Sequence, residues 1–258
     1  MQNTIIASKL RRGGGLDSAG GLFHASGLFR SAFTLAEVLI TLGIIGVVAA
    51  MTLPTLVQNH RNKVVETRLA KFYSTFNNAI RMAEVQYGDR KIWYSDTGGV
   101  DLDEEGKPIE GTAKIDEWFQ KYFSNLIVIK KIIKTNGVLR YYLSDGSSFQ
   151  FGNDDTVLTS RELVFFTGHP DKCPQDGYGI CKFQFEYYPI DSSTGWKYLY
   201  NKGLEPVKVG WDGNRNTLLN DSRIGCNTKA RDGAKYCTAI IQLNNWIIPE
   251  DYPFKVRY

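Results

Sequence analysis

Histidines and catalytic motifs are scarce in this sequence. Only three histidines, His24, His60 and His169, occur in 258 residues. No nucleophile elbow, phosphate-binding loop or HExxH pattern stands in the chain. These absences give no support to a hydrolase, a nucleotide-dependent enzyme or a zinc protease. We therefore expect a protein that is not an enzyme and has no catalytic residues.

The sequence also has no strong excess of positive or of negative charge. The formal net charge is +4, and most of it lies in residues 1–32, which hold four basic side chains and one acid. So small a total does not support a basic surface for nucleic acid, and we expect no specific nucleic-acid partner. The charged fraction of 22% is too high for a polytopic membrane protein, while 43% hydrophobic residues are enough for a folded core.

Cysteines are absent from the first two thirds of the chain. Cys173, Cys181, Cys226 and Cys237 all lie in the last third. An even number beyond an export-like segment predicts two disulfides, although four cysteines allow three connectivities. We expect the local pairs 173–181 and 226–237, because short loops between turn-rich residues close easily. Seven and ten residues intervene, a wider spacing than the C-x2-4-C pairs of zinc sites, so we expect no metal there.

A long apolar run is the main positive feature. The 21 residues from Phe33 to Leu53 carry one charge, Glu37, and Pro54 follows them. As a helix this stretch would be about 31 Å long, enough to cross the hydrocarbon core of a bilayer. Residues 1–32 contain Gly, Ser and Arg without helical periodicity, which is typical of a leader peptide.

The start of the apolar run resembles the N-terminal signature of type IV prepilins and pseudopilins. That signature reads Gly-Phe-Thr-Leu-(Ile/Val)-Glu before a hydrophobic helix, and this sequence has Ala32-Phe33-Thr34-Leu35-Ala36-Glu37. The resemblance covers residues 31–54, under a tenth of the chain, and includes the carboxylate, the apolar length and Pro54. Two features depart from the family: Ala32 stands where Gly is commoner, and a leader of 32 residues is long.

The resemblance implies specific processing and assembly steps. A prepilin peptidase would cleave between Ala32 and Phe33, and the new amine of Phe33 would be N-methylated. Glu37 and Pro54 would then stand where the family has these residue types, and the Glu37 carboxylate would meet the N-terminal amine of a neighbouring subunit. A charge inside an apolar helix costs about 2.5–3.5 kcal/mol, so a partner is expected on physical grounds as well.

Beyond Pro54 the helical pattern continues but becomes amphipathic. Apolar residues recur every three to five positions from Val57 to Tyr87, with charged residues between them, and Gly88 follows as a terminator. The sequence thus predicts one helix from Phe33 to Tyr87. The predicted organisation is a leader at 1–32, a transmembrane and assembly helix at 33–54, an amphipathic helix at 55–90 and an extracytoplasmic head at 91–258.

The head has the patterns of a β-rich domain. The turn Ser144-Asp145-Gly146 between apolar runs at 138–143 and 147–151 predicts a hairpin. Alternating or β-branched runs predict further strands at 162–167, 181–188 and 236–243, and a helix followed by a strand over 118–133. The expected fold class is α+β: a long N-terminal helix whose second half packs on an antiparallel sheet, with disulfide-stapled loops.

Two acidic segments invite a calcium interpretation. Residues 101–106 place Asp, Asp, Glu and Gly at loop positions one, three, five and six, but Thr112 stands where a bidentate Glu is needed. A solvated acidic turn is therefore favoured there. Asp212-Gly213-Asn214 with Asp221 is a weaker candidate. We expect no cofactor, with calcium left open.

The resemblance implies a structural subunit of a type IV pilus or of a type II secretion-like pseudopilus. Its partners would be the prepilin peptidase, other pilin or pseudopilin subunits and the bacterial inner membrane, which it would span once before assembly. The bulky head favours a minor subunit. Two alternatives stay open: a membrane-tethered ligand-binding module, and a secreted protein that signal peptidase releases after Val48-Ala49-Ala50.

Overall fold

The computed structural model describes residues 33–93, 104–105, 114–135, 138–151, 161–189 and 195–258. Two compact units make up the chain, one ending at Val48 and the other running from Ala49 to Tyr258. The predicted leader, including Ala32 of the expected cleavage site, lies outside the described residues, as does most of the acidic segment 101–106.

The secondary structure of this part of the chain comprises helices and one sheet. The helices are α1 (Leu35–Tyr87), α2 (Arg90–Trp93), α3 (Lys114–Phe123), α4 (Arg215–Asn220) and α5 (Cys237–Leu243). The strands are β1 (Lys131–Thr135), β2 (Val138–Tyr142), β3 (Ser148–Phe151), β4 (Arg161–Phe166), β5 (Lys182–Tyr187) and β6 (Leu204–Pro206).

Helix α1 is continuous over 53 residues and confirms the prediction of a single helix ending at Tyr87. Pro54 lies inside it, where its missing N–H removes one helical hydrogen bond. The helix ends where Gly88 adopts a φ of +82°, and the Gly88 N–H donates to the Glu84 carbonyl at 2.9 Å. Glycine tolerates this left-handed conformation and so serves as a C-terminal cap.

The six strands form one antiparallel sheet in the order of the chain, from β1 to β6. The predicted hairpin is confirmed between β2 and β3. There the Leu143 N–H donates to the Ser147 carbonyl at 2.9 Å, and Gly146 takes a φ of +83°. Strands that are consecutive in the sequence are therefore also neighbours in the sheet, as in a meander.

The core lies between one face of the sheet and the amphipathic part of α1, joined by α3. The Phe72 ring of α1 stacks on Phe165 of β4 with centroids 4.4 Å apart, and it also contacts Phe149 and Phe185. Trp118 of α3 is completely buried in the same cluster. Such aromatic packing dominates core energetics. The second half of α1 thus packs on the sheet, as predicted for the α+β class.

A polar contact also joins α1 to the sheet edge. The buried Asn77 side chain donates from Nδ2 to the Leu204 carbonyl and accepts from the Leu204 N–H at Oδ1, both at 2.9 Å. The amide thereby pairs with β6 as another strand would. Gly203, at a φ of +98°, leaves the space: a Cβ there would lie 2.1 Å from Asn77 Oδ1.

A second, smaller core gathers residues from the C-terminal third, including Trp211, Leu218, Ile224 and Ile240. The disulfides Cys173–Cys181 and Cys226–Cys237 have the pairing expected from the sequence. The loops that they close pack on each other at Gly179, where a Cβ would lie 2.7 Å from Cys237 Sγ. The two disulfides therefore stabilise neighbouring parts of one substructure.

One predicted strand is wrong. Residues 236–243 were expected to be a strand, but Cys237–Leu243 is helix α5, in which Cys237 to Ile241 are all buried. A short apolar run has the same pattern in a buried helix and a buried strand. Here the run contacts both cores, Ile240 in the second and Ile241 in the first, and a helix can present apolar side chains in both directions.

The other predictions for the head hold in type but not in bounds. The expected helix and strand over 118–133 are α3 and β1, displaced by a few residues at each end. The expected strands at 162–167 and 181–188 are β4 and β5. The segment 189–235 contains β6 and α4, which were not predicted because both are too short to give a clear periodic signal.

Candidate functional site

The N-terminal half of α1 exposes large apolar side chains around its circumference. Leu39, Ile40 and Leu42 are 60%, 62% and 60% exposed, although successive residues of a helix point about 100° apart. Phe33, just before the helix, is 86% exposed. A helix on a water-soluble surface carries a polar face. This segment has none from Val38 to Val48 apart from Thr41, so a non-aqueous environment or a partner must cover it.

The same segment meets the requirements for a membrane span by length and composition. Among the described residues, α1 is the one helix that does so, and the apolar stretch is unburied in the chain itself. A signal sequence near an N-terminus meets the same requirements. Its length and composition are therefore compatible with a membrane span or with a signal anchor.

The carboxylate of Glu37 is not isolated in the folded chain. Glu37 Oε2 accepts hydrogen bonds from the Thr34 N–H and from the Thr34 hydroxyl, both at 2.8 Å. In return the Glu37 N–H donates to Thr34 Oγ1 at 3.2 Å. This reciprocal arrangement is a capping box, which satisfies amide groups that the first turn of a helix leaves unpaired.

The capping role was missed in the sequence analysis, although the sequence carries its signal. Thr34-x-x-Glu37 before an apolar run is the capping-box pattern. Glu37 therefore has hydrogen-bond partners within its own chain. The predicted contact with the amine of another subunit stays a prediction.

Two glycines lie within the apolar segment. A Cβ added at Gly43 or Gly46 would meet no atom within 4 Å outside the helix backbone, so neither glycine is required by packing in this chain. Each weakens the helix by about 1 kcal/mol relative to Ala. Together with Pro54, they make this segment less rigid than an apolar helix without glycine or proline.

The acidic residues of the second calcium candidate, at 212–221, accept hydrogen bonds from neighbouring residues of their own loop. The Asp212 carboxylate accepts from the Asn214 N–H and from the Thr217 hydroxyl, each at 2.8 Å, and these bonds lower the pKa of Asp212. Asp221 Oδ1 accepts from the amides of Arg223 and Ile224. Within the described ranges no group of three or more His, Cys, Asp or Glu side chains could hold a metal ion.

A cavity of about 730 Å³ opens between the two disulfide-closed loops. Its lining combines polar and aromatic side chains, namely Gln175, Asp176, Tyr178, Asn227, Arg231 and Phe254. The Tyr178 ring is covered by ammonium groups, with Lys182 Nζ 4.2 Å from its centroid. The cavity is large enough for a small polar ligand, but that ring is engaged with the protein itself.

Glu186 is a buried carboxyl group on the face of the sheet opposite the aromatic core. Glu186 of β5 is 5% exposed and lies across from Glu162 of β4. Its Oε2 atom and Gln184 Oε1 have no hydrogen-bond partner. Burial, followed by the charge of Glu162, raises the pKa of Glu186 to about 8. A carboxyl group in this setting holds its proton near neutral pH.

Comparison with known families gives one match. The model of DUF6613, a family of unknown function, matches residues 55–256. The matched range begins directly after Pro54 and covers the amphipathic part of α1 together with the head. Neither curated proteins nor solved structures give a significant match.

Proposed function

The chain belongs to this family of unknown function, and we propose that it is a structural subunit of a type IV pilus or of a type II secretion-like pseudopilus. In this proposal prepilin peptidase cleaves after Ala32, Phe33 becomes the N-methylated first residue, and residues 33–54 anchor the subunit in the inner membrane before assembly. The head faces the extracytoplasmic side, where its two disulfides can form and persist. The bulky head favours a minor subunit.

One observation carries the proposal. The apolar segment that begins at Phe33, with a carboxylate one turn inside it, is exposed around its circumference and continues without a break into a helix that belongs to the head's core. A cleavable signal sequence needs no such continuity with the folded domain. An assembly element does, because a helix that continues into the head's core connects each head to the assembled segment.

The mass of the mature N-terminal peptide tests the proposal. We expect a peptide that begins with N-methylated Phe33 when the protein is purified from membranes of its native host. A peptide that begins at Met51 would support the secreted alternative, and retention of residues 1–32 would contradict processing at this site.

Variants at Ala32 test the scissile bond itself. Replacing Ala32 with Leu should leave unprocessed precursor on an immunoblot. The matched control Ala32→Gly restores the family's commoner residue and should be processed at least as fully as the wild type. Equal processing of both variants would place the cleavage elsewhere.

A membrane-tethered ligand-binding module is the second candidate, and the cavity between the disulfide loops favours it. The two functions differ in assembly. A filament subunit should form cross-links between N-terminal helices, for example through Leu39→Cys, and should be recovered in sheared filaments. A tethered receptor should stay monomeric in the membrane fraction.

A further inference from the structure

An apolar patch with a lysine rim lies on the head beside α1. We define the lysine-rimmed patch as Val128 and Ile132 together with Lys71, Lys130 and Lys131. Val128 is 80% exposed and Ile132 is 40% exposed, and the two together form an apolar patch rather than a single exposed side chain. All three lysines are exposed as well.

Two grooves meet at Val128. One, of about 260 Å³, runs between α1 and the β2–β3 hairpin and is lined by Phe72, Phe76, Leu126 and Leu143 with Lys71 at its edge. The other, of about 580 Å³, runs between α3 and the edge strand β1 and includes Phe119, Lys130, Lys131 and Ile132. Both are lined by Ile127 and Val128. The patch therefore offers apolar depressions on both sides of one exposed side chain.

The positive charges around the patch favour a negatively charged partner. Among the described residues that line the two grooves, Asp145 is the one acid, and it already lies 3.5 Å from Lys71 Nζ. The Lys71 side chain remains 60% exposed. An acidic segment with an apolar side chain would complement both the lysines and the grooves.

The chain itself contains such a segment. Residues 101–105 read Asp-Leu-Asp-Glu-Glu, four acids around one leucine, and no basic residue interrupts them. Glu104 is exposed in a turn. Residues 101–103 lie outside the described part of the chain and enter here by their sequence alone.

We propose that the acidic segment 101–105 of one copy docks on the lysine-rimmed patch of a second copy. The two surfaces differ, so the contact is head-to-tail, and a contact of this kind continues into an open-ended assembly unless it closes into a ring. The inference rests on the proposed function, for which it supplies a contact between heads. An alternative role of the lysines is to keep the edge strand β1 from pairing with other strands.

Cross-linking of the full-length protein tests the contact. All four native cysteines are paired in disulfides, so an introduced cysteine provides a unique thiol. Val128→Cys and Glu104→Cys variants, each purified in detergent and then mixed, should form a disulfide-linked dimer that neither forms alone. The matched control replaces Glu104→Cys with Glu250→Cys, another exposed acid. Equal yields with the two acids, or dimers of Val128→Cys alone, would overturn the proposal.

Charge-reversal variants provide a second test of the contact. Lys71→Glu with Lys131→Glu should lower the cross-linking yield about tenfold, because the substitutions replace two attractive contacts with like charges. On the other copy, Glu105→Cys then supplies the thiol. Adding Glu104→Lys to that copy should partly restore the yield. Arg231→Glu, at an exposed arginine of the other cavity, should change nothing.

The outcomes separate this contact from the proposed function. If Leu39→Cys cross-links form in filaments while the head contact fails, the filament function stands and the docking proposal falls. If the mature chain does not begin at Phe33, the filament function falls, whereas the head contact is still measured by the mixed variants.

Discussion

The Thr34 hydroxyl donates a hydrogen bond to the Glu37 carboxylate across the first turn of α1, with Thr34 Oγ1 2.8 Å from Glu37 Oε2. This pair gives Glu37 two separable properties. Its oxygen caps the helix, and its negative charge is available to a cation. The assembly model depends on the second property, whereas the capping box needs only the first, because Gln also serves at this position of a capping box.

Variants at Thr34 and Glu37 distinguish the two properties. Glu37→Gln keeps a capping oxygen without the charge, and Thr34→Ala keeps the charge without the hydroxyl. If a neighbour's amine pairs with Glu37, Glu37→Gln should enter the membrane yet be lost from sheared filaments, as should Glu37→Val, which removes both properties. Thr34→Ala should still assemble. Incorporation is measured by immunoblot relative to processed protein; normal incorporation of Glu37→Gln would contradict charge pairing.

Glu186 predicts a pH-dependent loss of stability. Its pKa is raised from an ordinary value of 4.5 to about 8 in the folded protein, so the folded state holds a proton that the unfolded chain has released. The contribution of this group is fully present below about pH 4.5 and is lost as the pH rises toward 8. Over that window it lowers the free energy of unfolding by about 1.4 kcal/mol per pH unit.

Glu186→Gln should remove this dependence. Denaturant unfolding of the full chain in detergent, followed by tryptophan fluorescence, should show the variant gaining stability over the wild type from pH 5 to pH 8. Glu250→Gln, at an exposed carboxylate, serves as the control. Parallel pH profiles for wild type and Glu186→Gln would mean that Glu186 ionises normally in the fold.

Asn77 should contribute substantially to the stability of the head, although it is a polar residue. Asn77→Ala removes both hydrogen bonds to Leu204 and leaves a buried carbonyl and a buried amide unpaired, which costs about 1–3 kcal/mol for each group. Asn78→Ala, at the exposed neighbouring position, should change the stability by less than about 0.5 kcal/mol. Thermal or denaturant unfolding compares the two, and similar losses would contradict the assigned role of Asn77.

Gly179 tests the packing between the disulfide loops. Gly179 and Gly210 have similar φ angles, +75° and +71°, but a Cβ at Gly179 would approach Cys237 Sγ to 2.7 Å while none at Gly210 meets an atom within 4 Å. Both substitutions by Ala incur the cost of a left-handed conformation, about 1–2 kcal/mol. Gly179→Ala should lose about 1–3 kcal/mol more, because it also overpacks the loops. Equal unfolding midpoints would show that the loops can separate freely.

Long periodic segments were predictable and short buried ones were not. The helix from Phe33 to Tyr87 has a signal over many turns, and the hairpin at Asp145-Gly146 has a specific turn chemistry. Helix α5 was predicted as a strand because an apolar run of seven residues has the same pattern in a buried helix and in a buried strand. The Thr34–Glu37 cap was also predictable, because its Thr-x-x-Glu spacing is a local signal.

The sequence by itself determined the long helix, its change from apolar to amphipathic near Pro54 and the α+β class, and it favoured the local pairing of the four cysteines. These features follow from side-chain periodicity and short-range spacing, which are properties of neighbouring residues. Only the tertiary structure decided that Asn77 substitutes for a strand at β6, that Glu186 is buried across from Glu162, and that Val128 and Lys71 line the same groove. Each of these relationships joins residues distant in sequence, and burial and pKa depend on what the fold brings around a side chain rather than on the side chain itself.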